Sequence, residues 1–248
     1  MNGNRVLRLA AGACACLTVC LGLAMDVAAQ LTPEVSVEAA VLNKYLWRGG
    51  VMTDGWVVQP SVTVGLGGFE LGAWGNLDLD DVNDHRHDLS EIDYTAAYTL
   101  GLALVDVSAG ALHYAFPQDD CEATTELFVS GSVGVLLSPS LGLYRDIDES
   151  EGTYVLLGAG HALPLGASAL DLAVSLGWGD EKHNAYNYGA ATAGPADAGV
   201  MLSMDIAVTP LLTVRPTLGY TSLLTTELRD AAEEPDNFLF GVVLAGGF

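Results

Sequence analysis

The stretch Asp78-Leu79-Asp80-Asp81-Val82-Asn83-Asp84-His85-Arg86-His87-Asp88 gathers the densest set of side chains that could do chemistry. Carboxylate oxygens in such number suit calcium or magnesium, and two imidazoles two residues apart suit a transition metal. Asp80, Asp84, His85 and His87 are the ligand candidates. The stretch lacks the glycine and the ligand spacing of a calcium-binding hand. A solvated acidic loop is the plainer expectation, with divalent cations bridging it to lipopolysaccharide phosphates. No bound metal and no other cofactor is expected. The remaining histidines, His113, His161 and His183, stand in no nucleophile context and pair with no serine at a diagnostic spacing, so no enzyme is expected. A phosphate-cradling glycine loop and a basic patch are both missing, which excludes nucleic acid as a partner.

The elements that carry these groups follow from composition. The chain is 50% hydrophobic, yet it holds 31 acidic against 9 basic side chains, a net charge of -22. Arg5 and Arg8 precede an apolar run from Leu9 to about Met25, and Val27-Ala28-Ala29 offers small residues for cleavage. Residues 1–29 therefore read as a secretory signal peptide, with a mature domain over 30–248. Of the four cysteines only Cys121 lies in that domain, so no disulfide framework is expected. No apolar run there approaches the length of a spanning helix. Helices and closed barrels are the structures that satisfy every backbone polar group in lipid. The domain alternates apolar and polar residues with period two near 34–48, 57–66, 69–79, 91–101, 104–116, 125–137, 140–147, 152–163, 168–179, 200–209, 212–224 and 238–248. The expected fold is all-β: a transmembrane, antiparallel, up-and-down barrel of about twelve strands.

Connections between these strands alternate in length. Gly67-Gly68, Gly101-Leu102, Ser138-Pro139-Ser140, Pro164 to Ala167 and Pro210-Leu211 are short and carry no charge. The connections from Gly49, Asp80, Pro117, Asp148, Asp180 and Thr225 are longer, and most of the acids lie in them or at the adjoining strand tips. Outer-membrane barrels have short periplasmic turns and long extracellular loops. Tyr45, Trp47, Trp56, Trp74, Tyr94, Tyr114, Phe116, Phe128, Tyr144, Tyr154, Trp178, Tyr220, Phe238 and Phe240 fall toward the long-loop ends and are expected to form an interfacial girdle.

A charge facing lipid at the bilayer midplane costs about 2–4 kcal/mol, so charged strand positions must face inward. The candidates to line a pore are Glu38, Lys44, Arg48, Glu70, Asp93, Asp106, Asp171, Asp205 and Arg215. Acidic linings favour cations. The loop from Asp180 to Gly199 is long enough to fold inward and constrict the lumen. Arg48, alone beside acidic loops, is expected to orient a solute, pin the first loop, or pair with a neighbouring lumen acid.

The last strand places Phe238, Phe240, Val242, Leu244 and Phe248 on one face, and its terminal aromatic resembles the assembly signal of bacterial outer-membrane proteins. That resemblance implies the outer-membrane assembly machinery as a partner, beside outer-membrane lipid and lipopolysaccharide. Asn43-Lys44-Tyr45-Leu46-Trp47-Arg48-Gly49, Thr53-Asp54-Gly55, Gln59-Pro60 and Gly72-Ala73-Trp74-Gly75-Asn76 are similar to the N-terminal pattern of the TorF-type porin family, and the similarity fades after about residue 80. The resemblance implies a small outer-membrane barrel. The expected function is passive, weakly cation-preferring diffusion of small solutes across a bacterial outer membrane. The alternative is a closed structural or adhesive barrel whose acidic loops bind cations, lipopolysaccharide or a partner.

Overall fold

The computed structural model describes residues 32–83, 86–118, 121–166 and 168–247. The signal peptide, Asp84, His85 and Phe248 lie outside the described residues. In chain order the elements begin with β1 (Glu34–Leu42), β2 (Tyr45–Trp47), β3 (Gly50–Thr53), β4 (Val57–Leu66), β5 (Phe69–Asp78) and β6 (Leu89–Leu102). There follow β7 (Val105–Ala115), β8 (Thr124–Val133), β9 (Ser140–Asp146), β10 (Thr153–Leu165), β11 (Ser168–Gly179) and α1 (Glu181–Tyr188). The chain ends with β12 (Gly194–Met204), β13 (Ile206–Thr209), β14 (Leu212–Leu223), α2 (Thr226–Ala231) and β15 (Asp236–Gly247).

Each wall strand pairs antiparallel with its sequence neighbours, and β1 pairs with β15 as well as β4, for example Val41 opposite Val242 and Val58. That last ladder closes the sheet. β12 and β13 both lie against β14 and share one position in the wall, interrupted at Asp205. The result is a twelve-strand closed barrel with one extra strand. Closure removes every edge, so no row of backbone donors and acceptors is left for the bilayer.

Side chains sort by parity. On β8, Leu127 and Val129 are exposed while Glu126, Phe128, Ser130 and Ser132 are buried; on β9, Leu141 and Leu143 are exposed while Ser140, Gly142 and Tyr144 are buried. The outer surface is thus a belt of leucine, valine and aromatic side chains, which is stable only in an apolar solvent.

The first strand ends earlier than its alternation predicts. Asn43 stops it: its amide donates to the Phe238 carbonyl at 3.2 Å, and its side-chain oxygen accepts from the Phe240 N–H at 2.7 Å. These bonds take the place of ladder bonds, and the chain leaves the wall. Residues 45–53 form a separate hairpin of β2 and β3, and Tyr45, Leu46 and Trp47 are all buried. Tyr45 and Trp47, expected in the interfacial girdle, pack inside the barrel instead. Trp74, Tyr114, Phe128, Tyr144 and Tyr154 depart from the girdle in the same way and join or contact this internal cluster. Trp56, Tyr94, Trp178, Tyr220, Phe238 and Phe240 are exposed on the outside.

Candidate functional site

The hairpin turns on two residues, Arg48 and Gly49, between Trp47 and Gly50. Both have positive φ, 47° and 81°, as the type I′ turn requires to match strand twist. Glycine adopts that geometry freely, and at Gly49 a Cβ would lie 2.6 Å from the Cβ of Asp197. Arginine does not adopt it freely: a non-glycine residue there costs on the order of 1–3 kcal/mol. The strain is offset by what the side chain reaches.

Arg48 donates both ends of its guanidinium to Glu126 on β8, at 2.7 and 2.6 Å. Both side chains are about 95% buried, with 5% and 4% exposure. The Tyr114 hydroxyl donates to the same carboxylate at 2.8 Å. The guanidinium carbon lies 4.3 Å from the ring centroid of Trp47, 5.0 Å from that of Tyr144 and 4.2 Å from that of Tyr154. Tyr154 in turn donates to Asp197 at 2.8 Å. A planar cation thus sits beside three aromatic rings and against one fork of oxygens, the arrangement that suits guanidinium better than ammonium.

The rest of the hairpin is fastened by polar bonds to the wall. Tyr45 donates to Glu91 at 2.7 Å, and its ring meets Trp74 at 5.4 Å. Thr53 donates to Asp78 at 2.9 Å, which also accepts from Asn76 at 2.7 Å; Asn76 accepts from Gln59 at 3.0 Å. Asp78 is fully buried, so this first residue of the acidic stretch serves the hairpin. Asp80 accepts from the Trp56 N–H at 2.7 Å, and His87 closes a turn with its backbone N–H on the Asp78 carbonyl at 2.7 Å. Among the described residues no group of three or more His, Cys, Asp or Glu is placed to hold a metal.

Helix α1 covers the hairpin. Asp180 caps it by accepting from the His183 N–H at 2.8 Å, and Gly189 ends it in the left-handed conformation. The Tyr188 hydroxyl donates to the Arg48 carbonyl at 2.7 Å. His183 is 1% exposed and stacks near Tyr154, Trp47 and Tyr188 at 5.0, 6.0 and 6.0 Å. Burial, with the nearby Arg48 charge, pushes its pKa down to about 3. The loop from Asp180 does fold inward, through His183 and Asn184, but the first-loop hairpin fills the space beneath it.

Helix α1 sits on two glycine notches. A Cβ at Gly152 would lie 2.4 Å from the His183 nitrogen, and one at Gly179 would lie 2.0 Å from the Asn184 oxygen. Gly152→Ala is expected to cost about 1–3 kcal/mol of local packing. Hydrogen exchange should speed at residues 181–188 and stay unchanged in the wall strands; equal protection at α1 in both proteins would contradict the notch.

The expected lining residues divide between two levels. Glu38, Asp205 and Arg215 form one cluster, with Arg215 donating to Asp205 at 2.5 Å and to Glu38 at 3.2 Å. Glu70, Asp106 and Asp171 lie on inward parity near the short-turn ends of β5, β7 and β11. Asp93 is buried higher, on the same inward face of β6 as Glu91. Lys44 lies in the loop beyond β1, bound to Asp54 at 2.7 Å and to Glu234; burial lowers its pKa, but those two carboxylates outweigh it and leave the ammonium above its ordinary value. By sequence, Tyr114, Tyr144 and Tyr154 read as girdle residues, Glu126 and Asp197 as loop acids, and His183 as a histidine without a nucleophile context; none reads as part of a site. Parity held the signal for several: Glu126 shares a side with Ser130 and Ser132, and Tyr144 with Ser140 and Gly142.

No family model and no curated protein matches the chain in sequence. Solved structures match in fold. A KdgM porin aligns with TM-score 0.56 at 10% identity, over 86% of this chain and 99% of its own. A KdgM porin in complex with disordered oligogalacturonate aligns with TM-score 0.51 at 8% identity, over 87% and 99%. A NanC porin aligns with TM-score 0.51 at 9% identity, over 86% and 98%.

Proposed function

From a porin-like barrel fold, we propose that the chain is exported to a bacterial outer membrane and passes small solutes with a weak preference for cations. The long-loop end is the outer one in this reading, and the β2–β3 hairpin is a latch across it. One observation carries the proposal. The inward face toward the short turns bears Glu38, Glu70, Asp106, Asp171 and Asp205 with Arg215 among small side chains such as Ser36, Thr63, Ser108 and Gly72, a lining that leaves room for water and favours positive charge. The segments that resemble the TorF-type porins converge on this latch: Trp47, Arg48 and Gly49 build its turn, while Gln59, Trp74 and Asn76 contact it or its supports. This convergence supports reading the chain as a TorF-like porin. Acidic loops facing lipopolysaccharide, and assembly through the final strand, complete the reading.

Planar-bilayer recording in a potassium chloride gradient tests it. The reversal potential should show cations passing faster than anions, and E70Q/D106N/D171N should reduce the ratio. Anion preference would refute the lining argument. The second reading, a closed structural or adhesive barrel, is favoured by the buried cluster of Leu42, Tyr45, Leu46, Trp47 and Tyr154 inside the wall; absence of channels in both the wild type and R48A, at any voltage, would establish it over the first.

A further inference from the structure

The surroundings of Arg48 have the composition of a ligand site, and the ligand is already visible in them. A guanidinium carbon lies 5.0 and 4.2 Å from the ring centroids of Tyr144 and Tyr154, which adjoin each other at 6.3 Å, and 4.3 Å from that of Trp47, with Glu126 gripping the group at 2.6 and 2.7 Å. Three of these four groups belong to the wall, on β8, β9 and β10, and are held independently of the hairpin. Tyr114 orients the Glu126 carboxylate and Asp197 orients the Tyr154 ring. The wall therefore presents a preformed cage, and only its occupant comes from the hairpin.

The occupant is held in a strained backbone. Arg48 has φ 47° at a turn position where glycine or asparagine is usual, so the contacts of its side chain hold the backbone in place rather than the reverse. Flat shape, delocalised charge and a fork of parallel N–H donors distinguish guanidinium from ammonium and from neutral amides. The cage reads all three properties.

We propose that the Glu126–Tyr144–Tyr154 cage is a binding site for small guanidinium solutes, occupied in the closed barrel by the protein's own Arg48. An external guanidinium competes with Arg48 for the cage, and its binding releases the hairpin. The proposal deepens the reading of Arg48 as a latch and rests on it; binding is measured without conductance, so its failure is distinguishable from failure of the channel.

Methylguanidinium is the probe, and urea, neutral and nearly isosteric, is the control. Full-length R48A, folded as judged by heat-modifiable gel mobility, is titrated with each by calorimetry, and its Tm is followed. R48Q serves if R48A does not fold. Methylguanidinium should bind the variant at least about tenfold more tightly than the wild type, whose cage is filled, and should raise its Tm. Urea should do neither. Adding E126Q to the variant should weaken methylguanidinium about tenfold or more, because the fork loses its charged acceptor. Equal responses to methylguanidinium and urea would overturn the site, as would binding unchanged by E126Q.

Discussion

Arg48→Ala is expected to unlatch the barrel without dismantling it. Removing one member of a buried ion pair costs about 3–5 kcal/mol, because the other charge remains without its partner. Here that charge is Glu126, 4% exposed and on the same inward face as other acids. Contacts with three rings are lost as well, each worth about 0.5–2 kcal/mol. Alanine at φ 47° stays strained with no contact to hold it, while the hairpin keeps Tyr45 on Glu91 and Thr53 on Asp78, at about 0.5–1.5 kcal/mol apiece, so a latched fraction persists. The ion-pair loss alone, at its low end, shifts the balance toward release by about 3 kcal/mol, a hundredfold or more in the detached population. The wall is indifferent, since its ladders run through β1 and β15 without the hairpin. Cleavage by an added protease at residues 45–55 should accelerate strongly, and conductance should rise, while the folded band on a gel persists. R48K should fall between, keeping the charge but losing the fork. The double variant R48A/E126Q should recover part of the loss, since it removes the stranded charge. A hairpin as protected in R48A as in the wild type would end the latch hypothesis.

The barrel was legible because lipid makes a severe demand. Every strand must alternate, and every connection on one side must be short, so period and loop length appear in the residue order itself. β4 and β11 coincide with the segments read from alternation, 57–66 and 168–179. The first strand was read too long for a physical reason. β2 is itself a strand, so alternation continues from the wall into the hairpin without a break, and only Asn43, through bonds to residues 195 and 197 positions away, marks the departure. The aromatics misled for a related reason. Rings at strand tips serve a membrane interface or grip an inserted loop equally well, and position along the strand does not separate the two. Parity does: Tyr144 and Tyr154 share the side of Gly142 and Gly158, whereas Trp178 shares the side of Leu176. Arg48 stood out in the sequence, but its partner did not, because Glu126 is 78 residues away and was one acid among many.

The second large effect is a dependence on acid that passes through His183. Its imidazole is buried between Tyr154, Trp47 and Tyr188, with Asn187 on Nδ1 at 3.2 Å and, among the described residues, no partner on Nε2. The charged groups that face it are Arg48, which disfavours protonation, and Asp180, which favours it. Burial dominates, and the folded pKa is about 3 against about 6.5 for a free histidine. The folded value is the lower one, so the detached state binds the proton first as pH falls. Stability from this group is complete above about pH 6.5, declines by about 1.4 kcal/mol for each unit below it, and levels off near the folded pKa. At pH 4.5 the cap formed by α1 has lost about 3 kcal/mol, comparable with the effect of removing Arg48. Hydrogen exchange of residues 181–188 should therefore speed markedly between pH 6.5 and 4.5, with the wall strands unaffected after correction for intrinsic rates. Because Tyr188 holds the Arg48 carbonyl, the hairpin should loosen in parallel and conductance should rise. His183→Gln cannot take up the proton, so its α1 should keep the same protection across that interval. If His183→Gln loosens with acid as the wild type does, the titrating group is another and the imidazole only fills space.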